Sequence, residues 1–336
     1  MNRARVTVCI PAYDRPEFLR EALESLCDQG LGRDEYVVAI SDDASPTSLN
    51  DVVSSFEGKL QIEYQRNSTN LGHIANFEKA FSLAKTRYVS FLPHDDLISP
   101  GQLGRALAAL DNHSGAVLVA SLSLVQRYPG AMSTSLHGIG ILPPGSATAN
   151  YSEPYVWGQT EWMALALATT PLCMVGSVFH AETFNKCQSW KSFPLWHDRL
   201  MLAEMALHGR VISLPWIGGY YRVSDSQLSR QIWNTHAGQF VEASKFILRL
   251  CESANIPVIE FWIGRICKVP PKDRAIYLRM LSGALTSEVF KSMKRECEKK
   301  LGTRLHLGGR LDKLGVPRPV AEFLRAIDRF LTERLG

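Results

Sequence analysis

Several common signatures are missing from this 336-residue chain. No run of about eighteen consecutive apolar residues occurs, so no helical membrane span is expected. The seven cysteines, at 9, 27, 173, 187, 251, 267 and 297, form no C-x-x-C pair. That spacing excludes a zinc ribbon or dithiol motif and fits reduced thiols in a cytosolic protein. G-x-x-x-x-G-K-[ST], G-x-G-x-x-G and G-x-S-x-G are all absent, which removes the P-loop, the dinucleotide fingerprint and the nucleophile elbow. Neither a repeat nor a low-complexity tract interrupts the chain. Charge is nearly balanced, with 37 Lys and Arg against 33 Asp and Glu. A net charge of +4 is too mild to argue for a nucleic-acid partner. Met1 to Arg5 lead straight into an apolar run with no signal-peptide pattern.

What is present is an ordinary soluble composition, 46% hydrophobic and 21% charged, in a chain long enough for one large domain with an appendage. Arg5 to Ile10 reads as a strand ending at Pro11-Ala12-Tyr13. A helix follows from Pro16, with Asp14 and Glu17 at capping-box spacing and Phe18, Leu19, Ala22, Leu23 and Leu26 on one face. Tyr36 to Ser41 forms a second strand ending in Asp42-Asp43, after which Ser45-Pro46 opens a helix. Leu60 to Tyr64 is a third strand. Asn70-Leu71-Gly72 turns into a helix with Ile74, Phe77, Ala80, Phe81 and Ala84 together. Tyr88 to Leu92 is a fourth strand, ending in His94-Asp95-Asp96, and Ser99-Pro100 restarts a helix with Ser99 as its cap.

Strand and helix thus alternate four times, the pattern of a doubly wound, mostly parallel α/β sheet whose ligands sit off the carboxyl ends of the strands. Two acid pairs and an aromatic converge on that edge. Neighbouring carboxylates are costly unless a cation or hydrogen-bond donors share them. Oxygen ligands of this kind suit Mg²⁺ or Mn²⁺, which in turn suits a phosphorylated substrate.

The order V-C-I-P-A-Y-D-R, I-S-D-D-A-S, N-x-G before a helix, and F-L-P-H-D-D-x-x-x-P resembles family 2 glycosyltransferases of the GT-A fold, over about residues 5–225. The resemblance implies a nucleotide-diphospho-sugar donor, a divalent metal (Mn²⁺ or Mg²⁺), and transfer with inversion at the sugar carbon. It implies that Pro11, Ala12 and Tyr13 wall the base while Asp43 accepts from its ring N–H. An aromatic face and one acceptor are also what a pyrimidine pocket needs. Arg66 and Asn70 to Gly72 line the nucleotide or simply form a turn. Asp96 matches the metal ligand. Asp95, on the opposite side if this segment is extended, is assigned to the donor ribose or sugar. His94 stands where many relatives carry an acid, and is left between ribose contact and a passenger of the turn.

Farther along, Ala116 to Val125 reads as a strand, 127–158 as a Gly-, Pro- and Ser-rich lid, and Gln159 to Ala168 as a helix. Phe193 to Ala206 then carries Trp196-His197-Asp198 at the mouth of a buried helix. The family begins this helix with Glu-Asp, the Asp being the catalytic base. Asp198 matches it, and His197 replaces the Glu as an orienting or acceptor-contacting group. Val211 to Pro215 is a strand, and Trp216 to Ser229 resembles the family's closing loop. Arg222 is its candidate diphosphate ligand, since a guanidinium fork matches phosphate oxygens. Gln227 and Arg230 echo the Q-x-x-R-W of processive synthases, but Gln231 replaces the Trp and membrane helices are absent.

Residues 1–228 are therefore read as the catalytic domain, with 1–100 the nucleotide half and 101–228 the acceptor half, and 229–336 as a helical C-terminal region. Helices are expected at 232–251, 276–301 and 320–335. Between Lys291 and Arg334, 12 Lys or Arg face 6 Asp or Glu. Such a basic amphipathic end rests either on an anionic membrane surface or on protein, including a second copy of the chain. The expected enzyme is a cytoplasmic or inner-membrane-peripheral glycosyltransferase. UDP-sugars are the favoured donors, TDP- or GDP-sugars the alternatives, and a glycan or lipid-linked hydroxyl the acceptor. A nucleotidyltransferase of related fold would show pyrophosphate exchange. A binding module that has lost catalysis would show no transfer with Mn²⁺.

Overall fold

The structure, a computed structural model, describes residues 4–127, 132–137, 153–168, 174–193, 196–223, 239–268 and 271–306. Most of the expected lid, together with Cys173, Gln227, Arg230 and the helix expected at 320–335, lies outside these residues.

Strands β1 (Val6–Ala12), β2 (Tyr36–Asp42), β3 (Ile62–Arg66) and β4 (Tyr88–Phe91) alternate with helices α1 (Pro16–Leu26), α2 (Asn50–Ser54) and α3 (His73–Ser82). They pair in parallel in the order β3-β2-β1-β4. The next stretch holds β5 (Leu97–Ile98), α4 (Gln102–Asn112), β6 (Ala116–Arg127) and β7 (Met132–His137). It continues with β8 (Tyr155–Trp157), α5 (Gln159–Ala168), β9 (Val178–His180), α6 (Ala181–Lys186), α7 (His197–Met205) and β10 (Arg210–Val223). These extend the sheet as β4-β9-β6-β10-β5, with β9 antiparallel to both neighbours and β10 parallel to β6. Four helices close the described chain: α8 (Gln239–Ser253), α9 (Val258–Lys268), α10 (Pro271–Ala284) and α11 (Ser287–Leu301).

Because successive strand residues face opposite sides, each strand feeds two cores. Val6, Val8, Ile10 and Ala12 of β1 pack with the apolar faces of α1, α2 and α4. Cys9, Val89 and Phe91 face α3, α5, α7 and the C-terminal helices instead. On that side Phe77 stacks on Phe91 with ring centroids 3.9 Å apart. Sheet and covering helices thus form the doubly wound architecture expected from the alternation.

Several boundaries differ from expectation, each for a local reason. Asp14 and Arg15 both adopt left-handed backbone (φ 55 and 54). The Asp14 N–H goes to Ser45 Oγ, so no capping box forms at Pro16. Ser45 does not open a helix; it turns back onto Asp42, and α2 starts only at Asn50. α4 starts at Gln102 behind a left-handed Gly101, while the Ser99 N–H pairs with the Gly218 carbonyl. The segment 216–223, expected as loop, is strand: register shifts between Leu214 and Gly219 let β10 keep pairing with β6 past Pro215. The helix expected over 276–301 is two, broken at 285–286, and α9 was not foreseen. Six cysteines in the described residues are free thiols, all buried or half-buried except the exposed Cys27.

Close approach of β10 to residues 174–177 depends on glycine. Gly176 has φ +77, and a Cβ there would lie 2.5 Å from the Gly218 oxygen. Its carbonyl also accepts from Gln102 Nε2 at 2.7 Å. Gly176→Ala adds left-handed strain to overpacking and is expected to cost roughly 2–4 kcal/mol of unfolding free energy. Urea denaturation checks this; a midpoint within error of wild type would show that the strands separate freely.

Candidate functional site

Three strand ends of the parallel half meet at one edge of the sheet, and their acids are held by donors. Asp42, fully buried, accepts from Ser45 N (2.9 Å), Ser45 Oγ (2.5 Å) and Tyr64 Oη (2.6 Å), with Arg66 Nε 3.6 Å away. Burial and the Asp42 carboxylate push the Tyr64 phenol up, so it remains a donor. Asp43, 3% exposed, accepts from Leu71 N (2.8 Å) and Asn67 Nδ2 (3.2 Å) on one oxygen and Gly72 N (3.0 Å) on the other. Its own N–H reaches the Ala12 carbonyl at 2.9 Å. Asn76 of α3 seals the same corner, donating to the Ala12 and Ser41 carbonyls and accepting from Ser41 Oγ. Against this fixed floor Tyr13 is 46% exposed, as is Leu71, while Ala12 is buried and Pro11 half-buried. Arg66 is exposed at the rim and donates to the Ser45 carbonyl.

The His94-Asp95-Asp96 segment is a turn, closed by Asp96 N–H to the Pro93 carbonyl at 3.0 Å. The extended geometry behind the separate tasks of Asp95 and Asp96 is therefore not what holds them. Arg222 does. Its backbone N–H donates to Asp96 Oδ1 at 2.8 Å and its Nε to the Asp95 carbonyl. The guanidinium is buried over the Phe18 ring, 4.6 Å from the centroid, and ion-pairs through Nη1 with Glu21 of α1. Arg222 thus approaches the turn from behind, with its fork directed into α1. Burial pushes the Asp96 carboxyl well above the usual range, Asp95 adds to this, and Arg222 opposes it. His94 hydrogen-bonds to the backbone of Pro11, and burial holds its imidazole below the ordinary value. Since proline has no N–H, that partner is the Pro11 carbonyl, which ties the acid turn to β1.

Asp198 stands in the first turn of α7, half-buried, its Oδ1 accepting from Arg199 N at 2.7 Å. His197 beside it packs on α3, 6.0 Å from the His73 ring and 5.9 Å from Phe77. α3 is the helix whose leading turn, Leu71-Gly72, is bound to Asp43. A contact path therefore runs from Asp43 through Gly72, His73 and His197 to Asp198, and the sheet-edge acids and the α7 acid lie on neighbouring elements.

Sequence reasoning missed Asn67, Asn76, Glu21 and Arg199. A polar residue inside an otherwise apolar helix face was the available signal for Asn76 and Arg199 (Ile74 to Phe77, and Leu200 to Met205). For a cation the fit rests on donor chemistry. Among the described residues no group of three or more His, Cys, Asp or Glu could hold a metal alone. Two adjacent carboxylates are nevertheless the set that Mg²⁺ or Mn²⁺ completes with substrate phosphates rather than with an all-protein cage.

Residues 7–165 match the family described as Glycosyl transferase family 2. One relative, the abequosyltransferase RfbV of Salmonella typhimurium, is 32% identical over 111 residues, 32% of this chain and 33% of that protein. TarS of Staphylococcus aureus, a poly(ribitol-phosphate) β-N-acetylglucosaminyltransferase, is 28% identical over 116 residues, 34% of this chain and 20% of TarS. The matched stretch spans a third or less of each of these relatives. In three dimensions TarS 1–349 with UDP-GlcNAc aligns with a TM-score of 0.54 at 17% identity, over 96% of this chain and 88% of that one. The mannosyltransferase PcManGT of Pyrobaculum calidifontis, with GDP-Man and Mn²⁺, gives 0.52 at 15% identity over 98% and 81%. At these identities the likeness is one of fold.

Asp43→Ala removes three acceptor contacts at once. The amides of Leu71 and Gly72 are expected to lose hydrogen-exchange protection, and unfolding free energy to fall by roughly 3 kcal/mol, since bonds to a charged group are worth about 1.5–3 kcal/mol each. Unchanged exchange at both amides would mean that the turn is held by something else.

Proposed function

Because the chain belongs to glycosyl transferase family 2, we propose that it moves a sugar from a nucleotide-diphospho-sugar to a hydroxyl of a glycan or lipid-linked acceptor, with inversion and without processivity. The setting we infer is the synthesis of a bacterial surface polysaccharide or glycoconjugate, at the cytoplasmic side of the membrane. No helix among the described residues is long and apolar enough to cross a membrane. The observation that carries the reading is the contact path from Asp43 to Asp198, which sets a donor-binding edge beside an acid on a separate helix.

In this reading the base lies against the exposed Tyr13 ring, over the floor that Asp43 fixes, with Pro11, Ala12 and Arg66 around it. Asp95 meets the ribose or sugar. Asp96, with Asp95 beside it, holds the divalent cation, Mn²⁺ or Mg²⁺. When bound, the cation offsets charge on the departing nucleoside diphosphate. Asp198 takes the proton of the acceptor hydroxyl as its oxygen bonds to the anomeric carbon and the bond to the diphosphate breaks on the opposite face. His197, braced on His73 and Phe77, orients the acceptor side. Arg222 serves by shaping the Asp95-Asp96 turn from behind. Direct diphosphate contact requires its fork to leave Glu21. UDP-sugars are the first donors to try, since TarS is solved with UDP-GlcNAc, and GDP-sugars the second, since PcManGT is solved with GDP-Man.

Asp198→Asn is expected to abolish transfer while sparing nucleotide binding, and Asp96→Ala to lose both transfer and Mn²⁺-dependent binding. A thermal-shift panel of nucleoside diphosphates and their sugars, with and without Mn²⁺, reads binding, because a ligand held at 100 times its Kd stabilises by about 2.7 kcal/mol. Near-wild-type turnover in both variants would refute the assignment.

A further inference from the structure

One buried charge is not used by the mechanism above. Arg199 follows Asp198 directly in α7 and is wholly buried. Its guanidinium donates to four neutral acceptors. Nε reaches the Ala166 carbonyl (2.6 Å), Nη1 the Phe240 carbonyl (3.2 Å), and Nη2 both the Leu167 carbonyl and Ser244 Oγ (2.7 Å). The Phe240 ring lies beneath it, 4.2 Å from the centroid. Among the described residues no carboxylate hydrogen-bonds to it. Such a group is costly to bury, and here the cost is offset by position. Ala166 and Leu167 belong to the last turn of α5, whose carbonyls lack helical partners and carry the negative end of the helix dipole. Phe240 and Ser244 belong to the first turns of α8. Burial pushes Arg199 down to about 9, with Asp198 opposing, which leaves it charged at neutral pH.

We propose that Arg199 is a positioning residue for Asp198. Its side chain pins the first turn of α7 to α5 and α8, and its backbone N–H holds Asp198 Oδ1. The C-terminal helices then set where the base stands. The inference rests on the reading of Asp198 as base, so its test contains a variant that checks that reading alone.

The full chain is assayed for release of nucleoside diphosphate from whichever nucleotide sugar the thermal-shift panel selects, with kcat and donor KM measured in Asp198→Asn, Arg199→Met, Arg199→Lys and Ser244→Ala. Arg199→Met is expected to lower kcat roughly a hundredfold, the order of loss from misplacing a catalytic group by about 1 Å. Its donor KM should stay within about twofold of wild type. Arg199→Lys, which keeps the charge and loses the fork, should lower kcat as well. Ser244→Ala removes the bond from Arg199 Nη2 and the one Ser244 Oγ donates to the Phe240 carbonyl, and it leaves the guanidinium its three carbonyl acceptors. It should lower kcat several-fold and leave the donor KM within about twofold, as loss of an interaction specific to the transition state requires. Wild-type kcat in Ser244→Ala and in every folded Arg199 variant, with Asp198→Asn inactive, overturns the positioning role while the base stands. An active Asp198→Asn overturns the base reading itself.

Discussion

Taking a carboxylate out of water is tolerated only where donors replace the lost hydration, and that requirement shapes this molecule's functional edge. Asp42, Asp43 and Asp96 are each 3% exposed or less. Asp42 is met by Ser45, Tyr64 and Arg66, Asp43 by Asn67, Leu71 and Gly72, and Asp96 by the N–H of Arg222. The donors come from β3, from the turns after β2 and β3, and from β10. Satisfying the acids therefore fixes the loops, and the left-handed pair Asp14-Arg15 is held in place by the same web through Ser45. A site built this way is organised before any ligand arrives, the condition under which fixed dipoles act most strongly on developing charge.

The division of labour within each acid pair follows. Asp42 spends its oxygens inside the protein and serves as the keystone of its turn, whereas Asp43 faces the Leu71-Gly72 loop beneath Tyr13. In the second pair the Asp95 carbonyl and the Asp96 carboxylate both engage Arg222, and burial, with Asp95 beside it, raises Asp96. Arg222 opposes that rise while its guanidinium pairs with Glu21 over the Phe18 ring.

How much of this could be read beforehand depended on the range of the interactions. β1, β2, β4 and α3 were legible because their apolar residues repeat with the period of the element and their ends carry turn chemistry. The acids at the strand ends were legible because α/β topology sends every such end to one edge. Partners distant in sequence were not. Nothing local to Ser99 tells it to give its N–H to Gly218, so a Ser-Pro that looks like a cap is instead a sheet edge. The strand beyond Pro215 was hidden because Trp216 to Val223 carries two glycines and no clean alternation; its pairing is set by the close contacts Gly218 and Gly219 allow. Likewise α9 shows an apolar stripe at Val258, Trp262, Ile263 and Ile266, short enough to pass as a linker after Pro257.

The side of the site that bears Asp198 is built differently. Among the described residues no comparable set of backbone amides surrounds it; its helix is located by packing against α5. Trp162 of α5 donates to the Leu202 carbonyl of α7 at 2.9 Å, and Trp262 of α9 donates to the Ala164 carbonyl at 3.1 Å. Arg199 joins the same helix to α8. α5 is thus the common seat of α7 and the C-terminal helices, and all of them share one apolar core with β1 and β4. Interiors packed at such density transmit displacement rather than absorb it. A carboxylate whose place is set in this way is tied to the C-terminal helices, while the acids at the sheet edge are tied to their own loops. Changes in the C-terminal helices are then felt first on the side that bears Asp198.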